Sequence, residues 1–334
     1  MRAPHGSLGR CLRSLLVCAL FAPACVSASD ITFTASTGGG VIYGTARELV
    51  FSVYNGQSYT QSELDWELQP LITTNATLTM NGPAGFEASL DVQLGIPWKT
   101  GAMSDSDWLN VSYNGDDTKT NYSHHDSYTE RAILADARIG WTFRLADWVT
   151  VAPFLQFGFM DFKWSARDGY LQYPPNWFSG ATKPYPDAST QPKIPVSGTV
   201  VIYEQTYYIF ALGLDTRFTF GSFGGSVSMA FSPLVFCNDV DNHLNPSLTY
   251  QTDYFDTLSN GFLLEPKVRM EWRLQKSSIS LSLAYRHIWR LIGDTSVVNA
   301  GVGPALGGVV ATFDNGAGAS YDALGISVGY GWTP

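Results

Sequence analysis

Beyond its first 28 residues, the sequence lacks any run of about 18 consecutive apolar residues, the minimum for a membrane-spanning helix. The one early apolar run, 15–24, has about ten residues and is too short to span a bilayer. It follows the basic residues Arg2, Arg10 and Arg13 and precedes Val26-Ser27-Ala28, a small-residue cleavage site. We therefore predict a signal peptide at 1–28 and one mature domain at 29–334. Lipoprotein processing at Cys25 is the alternative.

Cysteine is almost absent from the predicted mature chain. Three of the four cysteines, Cys11, Cys18 and Cys25, lie in the signal segment, so Cys237 has no partner for an internal disulfide. Cys237 follows the apolar run Pro233-Leu234-Val235-Phe236, which favours a buried, inert side chain over a nucleophile.

Basic residues are also few: 20 Lys and Arg face 29 Asp and Glu, for a net charge of −9. Signal removal takes away three arginines and no acid, which leaves −12. This balance excludes nucleic acid as a natural partner and suits cationic substrates.

Long alternating runs are what the sequence has instead. In 86–96 and 264–274, for example, one face is apolar and the other polar or charged. Such runs exceed the usual five or six residues of soluble strands. Together with the signal peptide and the aromatic-rich ends, they predict an all-β fold, a ten-stranded antiparallel transmembrane β-barrel. The predicted strands are 31–54, 60–80, 86–102, 129–143, 149–167, 199–220, 225–238, 260–275, 278–293 and 319–332.

The predicted connections alternate between short turns and long polar loops, at 103–128, 168–198, 239–259 and 294–318. In outer-membrane barrels the long loops are extracellular. A ten-strand barrel is narrow, and its lumenal charges (Glu265, Lys267, Arg269, Glu271, Arg273) can pair across it, so a diffusion porin is disfavoured. Function is expected at the extracellular rim.

Asp239, Asp241 and His243 follow the seventh predicted strand at i, i+2 and i+4, so they share one face of an extended chain. An Asp beside a His on that face can orient and polarise the imidazole as a general base. Solvated loop acids are the alternative interpretation.

Asp105 and Asp107 follow the third predicted strand, which also runs outward, so both motifs are expected to face each other across the extracellular mouth. The odd residues of the third strand are lumenal. The seventh strand has even lumenal residues (Ser226, Ser228, Ala230), so its motif needs a one-residue slip, which we place as a bulge at Pro233.

Two acids and a His–Asp pair around a cleft can hold and deprotonate one water molecule. Metal binding by the same side chains, Asp105, Asp107, Asp241 and His243, is the rival on ligand type alone. We expect no metal and no cofactor.

The sequence resembles the omptins, the outer-membrane proteases of diderm bacteria, over essentially the whole mature chain. The resemblance rests on seven stretches: Gly44-Thr45-Ala46-Arg47-Glu48, Glu63-Leu64-Asp65-Trp66, Met103-Ser104-Asp105-Ser106-Asp107-Trp108, His124-His125-Asp126, Ser165-Ala166-Arg167-Asp168-Gly169, Tyr203-Glu204-Gln205 and Asp239-Val240-Asp241-Asn242-His243.

The resemblance implies an aspartic-type endopeptidase in the bacterial outer membrane, with its active site on the extracellular side. It implies that Asp241 orients His243, that His243 activates a water also held by Asp105 and Asp107, and that Glu48 and Asp239 bind a basic residue before the scissile bond. Cationic peptides or proteins, host proteins included, would be the substrates. A non-catalytic adhesin or host-protein-binding barrel is the alternative function.

Two parts of the family pattern are missing. Thr120 stands where the family has an acid for the residue after the scissile bond, and Asp116 and Asp117 are nearby but out of register. The basic cluster that holds lipopolysaccharide is replaced at Phe157, Phe159, Asp161 and Thr206. Outer-membrane lipid is still an expected partner, but dependence on lipopolysaccharide is not implied.

Overall fold

The computed structural model describes residues 31–115, 118–175, 184–244, 250–301 and 309–332. The predicted signal peptide, Cys25 and the acids Asp116 and Asp117 lie outside these ranges, so the predictions on residues 1–28 stay predictions. No helix within the described ranges is long and apolar enough to cross a membrane.

Thirteen strands form one antiparallel sheet in the described part of the chain. They are β1 (Thr32–Tyr54), β2 (Gln57–Asn81), β3 (Phe86–Gly95), β4 (Trp98–Asp107), β5 (Asn121–Trp141), β6 (Phe143–Ala146), β7 (Val149–Gln172), β8 (Ile194–Pro195), β9 (Thr199–Phe220), β10 (Phe223–His243), β11 (Tyr250–Arg273), β12 (Ser277–Gly301) and β13 (Val309–Trp332). A four-residue helix, Val111–Asn114, follows β4.

The sheet closes because β1 pairs with β2 on one side and with β13 on the other. β3 and β4 together make the third wall segment, β5 and β6 the fourth, and β8 is a short addition to β7. The ring therefore has ten strand positions, and the predicted ten-stranded barrel is confirmed.

Alternation sorts the side chains of each strand between the two faces of the wall. On β3, Leu90 and Leu94 are about half exposed on the outer surface, while Asp91 lines the lumen. Bulky apolar side chains repeat this pattern around the ring and form a lipid-facing band, bounded near the long-loop end by residues such as Tyr43, Trp98, Tyr208 and Phe236.

The strands continue well beyond that band at the long-loop end. β1 has 23 residues, which at roughly 3.3 Å each makes a strand of roughly 75 Å. An apolar band is only about 25 Å tall. The wall therefore stands above the band, and the predicted loops at 103–128, 168–198, 239–259 and 294–318 are shorter than expected. Those loop predictions are wrong because paired backbone above a membrane can carry polar side chains on both faces.

Charges and aromatic rings fill the lumen. Arg286 on β12 donates to Glu265 on neighbouring β11 (2.6 Å) and to Asp136 on the opposite wall (2.7 Å). Above them, Trp66 of β2 stacks on Trp164 of β7 and Tyr203 of β9, with ring centroids 5.9 and 5.6 Å apart. The two walls thus meet across the lumen, which fits the prediction against a diffusion porin.

Candidate active site

The predicted bulge at Pro233 is present. The pairing of β10 slips between Phe231 and Leu234 against β9, and between Ser232 and Val235 against β11. Below the slip Ser228 and Ala230 are buried on the inside, and above it Asp239 and Asp241 are. Proline cannot donate to the ladder, so the extra residue is accommodated there. This slip turns the acidic motif inward.

Asp105 also faces inward, but the simple odd-residue rule along the third strand is an incomplete explanation. The strand breaks between β3 and β4, and the register of β4 against β5 shifts between Lys99 and Gly101. Thr100 is buried, although it is even-numbered, and Met103 and Asp105 are buried again beyond the shift. The strand break and the register shift each change which side chains face inward, and together they restore the original alternation. Asp105 therefore faces the lumen, as predicted.

Asp241 and His243 form a hydrogen-bonded pair. Nε2 of His243 donates to Oδ2 of Asp241 at 2.6 Å; Asp241 is buried, whereas the His243 side chain keeps 42% of its surface exposed. Both residues lie inside the ladder, between β9 and β11. The ring of Tyr254 meets the His243 ring edge-on at 5.5 Å. The imidazole is therefore held on two sides and open to the cleft.

Asp105 and Asp107 are held by Ser62 of the neighbouring strand β2. The Ser62 hydroxyl donates to Oδ1 of Asp105 at 3.0 Å and also bonds to Asp107. Burial raises the pKa of Asp105 to about 6, although the His243 charge and the Ser62 bond oppose it. Burial and the Asp105 charge raise the pKa of Asp107 well above its usual value. This pair therefore holds a proton more readily than free aspartates do.

The charge of His243 is coupled to these acids across the mouth. Burial alone would lower its pKa, but the charge and hydrogen bond of Asp241, with the charges of Asp105 and Asp107, raise it to about 9. The resting site thus favours an imidazolium among carboxylates. β4 and β10 lie four positions apart in the ring, on facing walls, as predicted.

Glu48 and Asp239 are buried beside the His–Asp pair. Burial, followed by the charges of Asp241, Asp239 and Asp256, raises the pKa of Glu48 well above its usual value, and Glu48 bonds to Asp241. Asp239 accepts a hydrogen bond from the Tyr203 hydroxyl at 3.2 Å. The structure therefore brings all six predicted residues to one end of the lumen, beyond the apolar band.

Sequence reasoning missed Ser62, Tyr254 and Asp256, and it assigned no role to Tyr203 of the Tyr203-Glu204-Gln205 stretch. Asp256 and Tyr254 belong to β11, at positions predicted to lie in the 239–259 loop. The residues around them lack clean alternation, and only the register with β10 brings them into the site. Ser62 was within a predicted strand, but nothing in its own sequence signals that it faces Asp105.

The two departures from the family pattern have structural explanations. Thr120 is buried, donates to the Asp107 carbonyl at 3.1 Å and accepts from the Leu109 amide at 3.0 Å, so it closes the turn after β4. On the outer wall Asp161 and Glu204 both accept from Arg131, and Glu204 also accepts from Lys163. Two basic side chains are thus present near Phe157 and Phe159, and each is paired with an acid.

A metal site is not supported by the described side chains. No group of three or more His, Cys, Asp or Glu residues within the described ranges has the arrangement to hold a metal ion. Cys237 is buried, as predicted, and the described part of the chain gives it no thiol partner.

Comparisons with known proteins agree with this architecture. The sequence profile of the Omptin family matches residues 29–333. The chain belongs to the omptin family. The resemblance noted from the sequence motifs is therefore confirmed, and the protein is an outer-membrane β-barrel.

Two similar proteins share the fold or part of the sequence with this omptin at low identity. The plasminogen activator of Yersinia pestis is 20% identical over 251 residues, which cover 72% of this chain and 74% of the relative. The crystal structure of the outer membrane protease OmpT from Escherichia coli superposes with a TM-score of 0.78 at 16% identity, covering 91% of this chain and 97% of that one. At that identity the superposition establishes the fold alone.

Proposed function

We propose that this omptin is an endopeptidase that cleaves peptides or proteins after basic residues, at the extracellular mouth of the barrel. The observation that carries the proposal is the Asp241–His243 pair, bonded at 2.6 Å and facing Asp105 and Asp107 on the opposite wall. Family membership supports the reaction class.

In the proposed mechanism, Asp241 fixes the His243 ring by accepting from Nε2, which leaves the other ring nitrogen for the water. Asp105 and Asp107 hold that water from the facing wall. Neutral His243 takes a proton as the oxygen attacks the peptide carbonyl, and positioned general bases contribute roughly 10²–10⁴-fold. The resulting imidazolium is stabilised by the carboxylates that raise the pKa of His243.

Glu48 and Asp239 are the proposed pocket for the basic side chain before the scissile bond. Both are buried, and each has one carboxyl oxygen without a hydrogen-bond partner among the described residues. Buried carboxylates are rarely left unpaired, and a substrate cation would satisfy them.

Outer-membrane lipid is the proposed partner of the apolar band. We do not propose a lipopolysaccharide requirement, because Arg131 and Lys163 on the outer wall are engaged by Asp161 and Glu204.

The test is cleavage of a peptide with paired basic residues by refolded protein, with and without added lipid. We expect cleavage after Arg or Lys that survives serine-acylating agents, thiol blockers and chelators. Loss of activity with EDTA, restored by a divalent ion, would favour the metal alternative. Tight substrate binding without any cleavage would favour the non-catalytic surface protein.

A further inference from the structure

Asp256 is a buried acid with no role in the mechanism above. It lies on β11 as the direct cross-strand partner of Asp239, and only 5% of its surface is exposed. The carboxyl groups of Asp239 and Asp256 are hydrogen-bonded to each other, and Thr295 of β12 also forms a hydrogen bond with Asp256. Acids placed directly opposite each other destabilise a sheet. Wall formation alone therefore does not account for Asp256.

Four acids in and beside the candidate active site have unsatisfied oxygens. Oε2 of Glu48 and Oδ1 of Asp239, Asp241 and Asp256 are all buried, and the described residues provide no hydrogen-bond partner for any of them. Buried polar atoms in proteins are nearly always paired. Four orphaned acceptors from β1, β10 and β11 together favour the binding of a ligand with several hydrogen-bond donors.

The basic residue next to Glu48 in the chain does not pair with these acids. Arg47 directly precedes Glu48 on β1 but lies on the outer face, where its Nε pairs with Asp65 at 2.7 Å. Only its backbone carbonyl enters the lumen side, accepting from Gln205 at 2.9 Å. Burial, together with the charges of Asp241, Asp239 and Asp256, raises the pKa of Glu48. Burial and the Asp241 charge raise the pKa of Asp256, although its hydrogen bonds to Asp239 and Thr295 oppose the rise.

We propose that Asp256 is the third acid of the specificity pocket and that, with Glu48 and Asp239, it selects a guanidinium over an ammonium group. A guanidinium has five N–H donors in a planar fork and is weakly hydrated. It can donate hydrogen bonds to carboxyl groups on three strands at once. An ammonium group is a compact point charge with three donors and stronger hydration. The inference rests on the proposed function only for its consequence, cleavage after Arg in preference to Lys.

A binding experiment tests the pocket without relying on catalysis. N-acetylarginine amide and N-acetyllysine amide are titrated into refolded full-length protein, with tryptophan fluorescence as the readout. The readout is suitable because Tyr203 donates to Asp239 and stacks on Trp66. The same samples are assayed with two peptides that differ only in Arg or Lys before the scissile bond.

We expect the arginine probe to bind about tenfold more tightly than the lysine probe, and Asp256→Asn to weaken arginine binding by about tenfold or more while reducing the preference. Asp253→Asn is the matched control, because Asp253 is on the same strand with opposite parity, and it should leave both affinities unchanged. Heat-modifiable gel migration reports folding, and Asp256→Ser replaces the amide variant if that variant does not fold.

The outcomes separate the two proposals. Asp256-dependent arginine binding without any peptide cleavage would support the pocket and overturn the peptidase. Cleavage after basic residues with unchanged binding and an unchanged Arg-to-Lys ratio in both Asp256 variants would overturn the role of Asp256 and leave the peptidase standing. Absence of both binding and cleavage in the wild type would overturn both.

Discussion

Trp66 and Tyr203 stack with ring centroids 5.6 Å apart although they belong to β2 and β9, on opposite walls of the barrel. Trp164 completes the stack, and all three rings are fully buried. The Tyr203 hydroxyl donates to Asp239, so the plug that closes the lumen also forms part of the floor of the candidate pocket. The stack that closes the lumen and the candidate pocket therefore share the Tyr203 ring.

Trp66→Ala should destabilise the barrel and weaken the pocket together. Loss of a buried aromatic ring costs about 3–5 kcal/mol. We expect a fall of that size in the free energy of unfolding by urea titration, and a higher KM for an arginine peptide. Trp148→Ala, which removes a half-exposed ring at a turn, is the control. A loss under about 1 kcal/mol would show that the plug is not tightly packed.

His243→Ala should reduce kcat by roughly 10²–10⁴-fold without unfolding the barrel, since the variant removes the proposed base. The chain offers a matched control in His287, whose Nδ1 lies 2.6 Å from Oδ2 of Asp322 on the outer wall. His287→Ala removes a similar His–Asp pair away from the lumen and should retain activity. Wild-type peptidase activity in folded His243→Ala protein would rule out the mechanism.

The value of kcat/KM should rise with pH well into the alkaline range. The base form of His243 is the neutral one, and its pKa is raised to about 9, so kcat/KM should increase with pH up to about 9. Below about 6 the slope should steepen as Asp105 also becomes protonated. Asp241→Asn removes the main influence that raises the pKa, so the rising limb of the pH profile should shift to lower pH. A wild-type limb at or below 6.5, the ordinary value for histidine, would contradict the electrostatics described here.

Ser62→Ala should impair turnover through Asp105. It removes a hydrogen bond of 3.0 Å to a charged acceptor, a bond worth about 1.5–3 kcal/mol. We expect kcat to fall by roughly tenfold to a hundredfold, with KM little changed. Ser106→Ala, between the two aspartates on the other face of β4, is the control. Equal kcat values for the two variants would argue against positioning of Asp105 by Ser62.

Glu48→Gln combined with Asp239→Asn should reduce cleavage after Arg or Lys by tens-fold or more, because a desolvated charge pair is lost. Glu63→Gln with Asp65→Asn neutralises two acids on the outer face of β2 and provides the matched control. Peptides with Leu before the scissile bond complete the comparison. An unchanged preference for Arg over Leu in the double variant would remove Glu48 and Asp239 from the pocket.

The membrane-embedded half of the fold was predictable because lipid imposes strict alternation on the outer face. The Pro233 bulge was predictable for a related reason: a proline and a change of parity occurred in the same strand. The upper ends of the strands were not predictable, since water surrounds them and polar side chains are allowed on both faces. Asp256 lies in one of these upper strand ends, so its place in the sheet was not predicted either. Its role depends on a register with Asp239 that no local pattern encodes.

Asp241 and His243 lie within a continuous ladder, paired on both sides with β9 and β11. Their positions are set by backbone hydrogen bonds rather than by the connecting segments above them. The loops can then change in length and composition without moving these two side chains, as on other rigid scaffolds. We therefore expect chimaeras that carry foreign loops on this wall to keep the proposed hydrolytic activity while their range of protein targets changes.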